Sequence, residues 1–153
     1  MIRRGDSQDV PFLRDMLRHA YYWRMTAPDD ELPVYRYVEA WGRPGDRAVI
    51  AIDDFQRVGA GWYRLFRAGR PGYGFVDEAT PELSVAVVPS RRGRGFGGAL
   101  LGALVAQAKK DGFSALSLSV EQENPAVSLY ERYGFEKVQQ VDDTYTMLAK
   151  LTS

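Results

Sequence analysis

The stretch "SVAVVPSRRGRGFGGALL", Ser84 to Leu101, limits the fold more than any other part of the chain. Leu83, Val85 and Val87 alternate with Ser84, Ala86 and Val88, which predicts a strand over residues 82–88 with little polarity on either face. Such a strand belongs in the middle of a sheet. Leu100, Leu101, Leu104, Val105 and Ala108 then recur at helical spacing, and Gly112 after Lys109 and Lys110 marks a helix stop. Between strand and helix, glycines at 93, 95, 97 and 98 let the backbone turn tightly and leave its amides unobstructed. At a helix start those amides and the helix dipole make a pocket for a phosphate or pyrophosphate, and Arg91, Arg92 and Arg94 add charge.

Around this junction the remaining elements fall into place. Residues 2–4 read as a first strand, and Asp6 or Ser7 caps a helix carrying Val10, Leu13, Leu17 and Ala20 on one face. A second helix is expected from about Val34 to Trp41. "RAVIAID" and "GAGWYRLF" predict an antiparallel hairpin, and "ALSLSV" a further strand. Asn124 caps and Pro125 opens a helix closed by Gly134, and two strands follow around Asp142 and Asp143. The order β-α-α-β-β-β-α-β-α-β-β predicts one mixed α/β (α+β) domain over residues 1–153.

Lysine plus arginine and aspartate plus glutamate each total 20 in a chain of 153 residues, so no net charge draws it to nucleic acid or membrane. Any anion site is therefore local. There are no cysteines, which removes disulfides, thiolate metal sites and cysteine nucleophiles together. His19 is the only histidine, which excludes a histidine metal cluster and reads as a helix-surface side chain, so no metal is expected. No apolar run has the length of a signal core or a membrane span, and the cytoplasm is the expected compartment.

Several anions suit such a loop. A P-loop needs lysine and serine or threonine after its last glycine, where this chain has Ala99 and Leu100. The dinucleotide pattern GxGxxG is present as Gly93, Gly95 and Gly98, with Glu121 near the spacing for a ribose contact. Too few βα units follow it to build a doubly wound sheet. Apolar flanks argue against an RNA-binding arginine-glycine tail.

With strand, loop and helix placed, the chain resembles the GNAT superfamily of N-acetyltransferases, whose acetyl-CoA motif Q/R-x-x-G-x-G/A is matched by Arg92, Gly95 and Gly97. A second segment, "NPAVSLYERYGF", resembles the family's run from an asparagine through leucine-tyrosine to glycine-phenylalanine, with Val127 and Ser128 where alanine often falls. The resemblance implies a mixed sheet of six to seven strands, flanked by about four helices, whose fourth and fifth strands splay apart. It implies acetyl-CoA as cofactor, with Val85, Ala86 and Val87 offering backbone groups to the pantetheine arm. Arg92, Gly93, Arg94, Gly95, Phe96, Gly97 and Gly98 would take the pyrophosphate, and Asn124 would also contact the cofactor.

Transfer of acetyl to an amine requires a deprotonated nucleophile, a polarised carbonyl and a proton for the leaving thiolate. By resemblance, an amide near Val87 polarises and Tyr130 donates the proton, while Tyr133 is left to the core. Glu82 is the candidate base, acting through water; the other reading is an exposed strand-end glutamate. Ser119 stands where relatives that acetylate protein N-termini often carry a glutamate. Tyr21, Tyr22, Trp23, Tyr35, Tyr37 and Trp41 fall where the family lines its acceptor pocket, and otherwise read as core. The expected partner is a small-molecule or peptide amine, bound by a monomer or homodimer; a non-catalytic acyl-CoA sensor is the alternative.

Overall fold

Asp6 caps a 3-10 turn, Ser7–Asp9, that leads into helix α1, Val10–Ala20. Its carboxylate accepts from the amide of Gln8 at 2.8 Å, and Asp9 accepts from the amide of Asp6 at 2.8 Å, so two helix-start donors are satisfied reciprocally. Asp9 is fully buried and also receives Arg3 and Arg57, each at 2.8 Å. These pairs tie the helix start to two strands and hold the Asp9 carboxyl well below the usual range, chiefly through the Arg3 hydrogen bond.

The computed structural model describes residues 1–21 and 33–151. Its strands are β1 Ile2–Arg4, β2 Arg47–Asp53, β3 Gln56–Arg64, β4 Glu82–Val87, β5 Ala115–Glu121, β6 Glu136–Val141 and β7 Thr144–Lys150. They form one sheet of order β1-β2-β3-β4-β5-β7-β6. Every pairing is antiparallel except that of β4 with β5. As its apolar pattern predicts, β4 lies centrally. Helix α2, Phe96–Lys110, and α3, Ala126–Arg132, pack on one face through Leu100, Leu101, Leu104 and Tyr130. Leu13, Leu17, Val34, Ile50 and Trp62 form the core on the α1 face. Gly61 permits the close approach of α2, since a Cβ there would meet Leu104 Cδ1 at 2.8 Å.

Three α-helices lie among the described residues, against about four expected. Where a helix is predicted from about Val34 to Trp41, the structure has a single 3-10 stretch, Pro33–Tyr37. Valines and tyrosines make a poor helix, and Ala40 and Gly42 both adopt positive φ just beyond it. Burial of Val34, Tyr37 and Val38 against the sheet fixes this segment instead. No helix of the described residues is long and apolar enough to cross a membrane.

Candidate functional site

Strands β4 and β5 register at one residue pair, Glu82 with Ser117, fastened by the Ser117 amide donating to the Pro81 carbonyl at 3.0 Å. Beyond that pair they diverge. A cleft of about 810 Å³ opens between them, with Val85, Ala86 and Val87 on one bank and Ser119, Val120 and Glu121 on the other. The loop before α2 covers one end; Asn124, Ala126, Leu129 and Tyr130 close the other side.

No amide from Gly93 to Gly98 donates to a protein acceptor among the described residues; the first helical bond runs from Ala99 to Gly95 at 3.1 Å. A row of unpaired donors at a helix start is the arrangement that binds phosphate. Gly93 and Gly95 hold φ of +78° and +85°, which L side chains adopt only with strain. The three arginines divide their work. Arg91 is a strut, bonded to Asp53 at 2.8 Å. Arg92 is exposed, lines the cleft and donates to the Val87 carbonyl at 3.3 Å. Arg94 does not line the cleft and lies 3.7 Å from Asp53. The residues present fit the phosphates of coenzyme A through these amides and Arg92.

Asn124 lines the cleft while its side chain accepts from the Ala126 amide at 2.9 Å, so capping and cleft positions coincide. Tyr130 also lines the cleft. Burial alone pushes its phenol up to about 12, which keeps it a donor at neutral pH. Tyr133, expected in the core, is instead 39% exposed and donates to the Gly98 carbonyl at 3.0 Å. His19, expected on the helix surface, is half-buried and lines the cleft. Its pKa is lowered first by burial, then by Arg92 and Arg18.

Glu82 is not an exposed strand end: it is 1% exposed and lies outside the cleft lining. Its Oε2 accepts from the Tyr37 hydroxyl and from the Gly74 amide at 3.1 Å. Oε1 has no partner. Burial raises the carboxyl to about 7 even though both donors favour the anion. Tyr21 stacks on Tyr37 with centroids 4.5 Å apart and shares a 2.5 Å hydrogen bond with Ser84. Spacing gave no signal for this chain of buried polar groups. Of the expected aromatic wall, Tyr21 and Tyr37 are buried, Tyr35 is exposed, and Trp41 lies 5.2 Å from the Arg64 guanidinium; Tyr22 and Trp23 fall outside the described residues.

A parallel pair of strands that parts over a glycine-rich helix start is the arrangement that the resemblance to the GNAT superfamily implies. The chain belongs to the acetyltransferase (GNAT) family, whose model matches residues 11–135. It is 44% identical over 63 residues to the [ribosomal protein bS18]-alanine N-acetyltransferase of Haemophilus influenzae, a match covering 41% of this chain and 42% of that relative. The chain thus spans less than half of that relative's length. A ribosomal-protein-alanine N-acetyltransferase from Brucella melitensis superposes with a TM-score of 0.72 at 28% identity, covering 98% of this chain and 99% of the other. yncA of Salmonella typhimurium, solved with its cofactor acetyl-CoA, superposes at 0.76 and 24% identity over 100% of this chain and 94% of the other.

Proposed function

We propose that residues 1–153 form a single N-acetyltransferase domain that uses acetyl-CoA to acetylate a primary amine of a small molecule or peptide by direct attack. The single-pair junction of β4 and β5 supports this reading most strongly, because it leaves strand groups of β4 free beside a helix start rich in unpaired amides. Bound acetyl-CoA supplies an activated acetyl thioester. Amides from Gly93 to Gly98 and Arg92 hold its phosphates, and the freed edge of β4 at Val85 to Val87 orients its arm. An amide near Val87 polarises the carbonyl at no cost in reorganisation. Tyr130 holds the proton required by the departing sulfur, and Glu82 receives the proton lost by the amine.

Ser119 occupies the place where relatives acting on protein N-termini often carry a glutamate, and this departure speaks against a protein α-amine as the acceptor. The test is thiol release from acetyl-CoA over a panel holding an alanine-leading peptide, amino-acid amides and polyamines, with calorimetry of acetyl-CoA on the same protein. Turnover of any member supports the reading. Binding without turnover across the panel makes the chain an acyl-CoA sensor.

A further inference from the structure

Three buried side-chain oxygens have no hydrogen-bond partner among the described residues: Oε1 of Glu82 and the hydroxyls of Ser117 and Ser119. They share one face of the sheet. β4 and β5 run parallel with Glu82 opposite Ser117, and side chains alternate along a strand, so Glu82 and Ser84 lie on the side of Ser117 and Ser119. Leu83, Leu116, Leu118 and Val120 face the α2 core on the other side. Exposure is 1% at Glu82, 0% at Ser117 and 9% at Ser119, and of the three only Ser119 lines the cleft. An unpaired hydroxyl in such a place is destabilising, and native proteins satisfy it with ordered water or a ligand. Alanine would avoid that cost at both positions.

We propose that Ser117 and Ser119, bridged by water, form the proton path from an amine in the cleft to Oε1 of Glu82. The path deepens the reading of Glu82 as base and rests on it. An N–H bond of the amine breaks and an O–H bond on Oε1 forms; each hydroxyl accepts one proton and passes on another, ending unchanged. The carboxylic acid then returns its proton to solvent. Other groups facing Glu82 are Tyr37 from the 3-10 stretch, Tyr73 and the Gly74 amide from the loop before β4, Tyr21 after α1, and Ser84 on β4 itself. No cation pairs with Glu82 among the described residues. Tyr21 and Tyr37 are held far above the ordinary tyrosine range by burial, so neither competes for the proton near neutral pH.

The experiment measures kcat, KM for acetyl-CoA and the solvent deuterium isotope effect for Ser117→Ala, Ser119→Ala, Ser119→Thr and Glu82→Gln, using the amine of the panel with the fastest turnover. The expected result is a roughly tenfold or greater fall in kcat for each alanine variant, at unchanged KM for acetyl-CoA and unchanged or raised Tm, with a smaller isotope effect. Ser119→Thr restores the rate. Parental kcat in both alanine variants, or a threonine variant as slow as alanine, overturns the path. If Glu82→Gln is slow while the serine variants are not, only the path falls; if Glu82→Gln keeps the parental rate, the base assignment falls with it. Absence of turnover by the parent over the whole panel overturns both.

Discussion

The Tyr37 hydroxyl donates to Oε2 of Glu82, so a phenol from one side of the sheet occupies one carboxylate oxygen and leaves Oε1 without a partner among the described residues. This bond favours the anion and opposes the burial that raises the carboxyl to about 7. Removing it in Tyr37→Phe lifts the Glu82 titration further. A hydrogen bond to a charged group contributes about 1.5–3 kcal/mol, which corresponds to about one to two pH units. The acidic limb of kcat/KM, centred near 7 in the parent, should move up by that amount. An unmoved limb would separate Tyr37 from the titrating group.

The same carboxyl links pH to stability with a sign opposite to its effect on rate. Its folded value of about 7 lies above the ordinary 4.5, so between these values the folded chain binds more protons than the unfolded one. The protonated form is stabilised, and stability falls as pH rises through that window, by about 3 kcal/mol for a shift of this size. With Glu82 as the proposed base, activity should need the anion and rise over the same range. Urea unfolding of the parent and Glu82→Gln at pH 5 and pH 8 should show the parent losing stability relative to the variant at pH 8. Equal pH dependence in the two chains would place Glu82 in contact with water.

A different buried pair should carry stability without function. Arg64 and Asp46 are 0% and 2% exposed and meet at 2.7 Å; the guanidinium also donates to the carbonyls of Arg36 and Glu39 at 2.8 and 2.7 Å. Removing one member of such a pair leaves a buried charge unmatched and costs about 3–5 kcal/mol. Arg64→Met should lower Tm by roughly 10 °C, while coenzyme A affinity, measured by calorimetry below the transition, stays within about twofold of the parent. A large loss of affinity at full folding would tie this pair to the cleft.

Glycines of the loop separate by the reason each is needed. At Gly95 a Cβ would meet nothing within 4 Å, so crowding by protein atoms is not the obstacle; the φ of +85° is. Gly95→Ala therefore strains the turn by about 1–2 kcal/mol, and the amides lose their alignment. Gly97 is helical, and its Cβ would make an ordinary 3.8 Å contact with Leu129. Gly97→Ala should fold as well as the parent, so any loss of coenzyme A affinity there reports close approach of the ligand. Calorimetry should give about tenfold weaker binding for Gly95→Ala, consistent with 1.4 kcal/mol per decade. Parental affinity in both variants would move the phosphate site elsewhere.

Residue order along the chain made the individual strands and the glycine-rich turn into α2 legible because each is set by a local pattern. β2 runs over Arg47–Asp53, the apolar run read as the first strand of the hairpin, and α2 ends before Gly112, which adopts φ of +84°. Glu82 was not legible as a buried group, since glutamate at a strand end is ordinarily solvated. Its burial depends on a loop ten residues upstream in which Gly72 and Gly74 lack side chains: a Cβ at Gly72 would collide with Oε1 of Glu82, and one at Gly74 would lie 2.5 Å from the Leu118 carbonyl carbon. Tyr130 and Tyr133 sit three positions apart near one short helix, yet the first turns into the core against Phe135 and the second lies on the Gly98 carbonyl.

Tyr130 offers the sharpest separation of binding from chemistry. Its ring is packed edge-on against Phe135 with centroids 6.0 Å apart, so Phe at position 130 keeps the packing and removes only the hydroxyl. Burial alone raises its pKa, with no hydrogen bond contributing, so losing the hydroxyl orphans no partner. Stability should therefore change by less than about 0.5 kcal/mol. A general acid contributes about 10²–10⁴-fold, so Tyr130→Phe should slow kcat by at least about 100-fold with coenzyme A affinity unchanged. The parent's alkaline limb should follow a group near 12 and lie above the accessible range, so the variant differs in height and not in shape between pH 7 and 9. A variant that turns over at the parental rate would return this tyrosine to the core and leave solvent as the proton source for the sulfur.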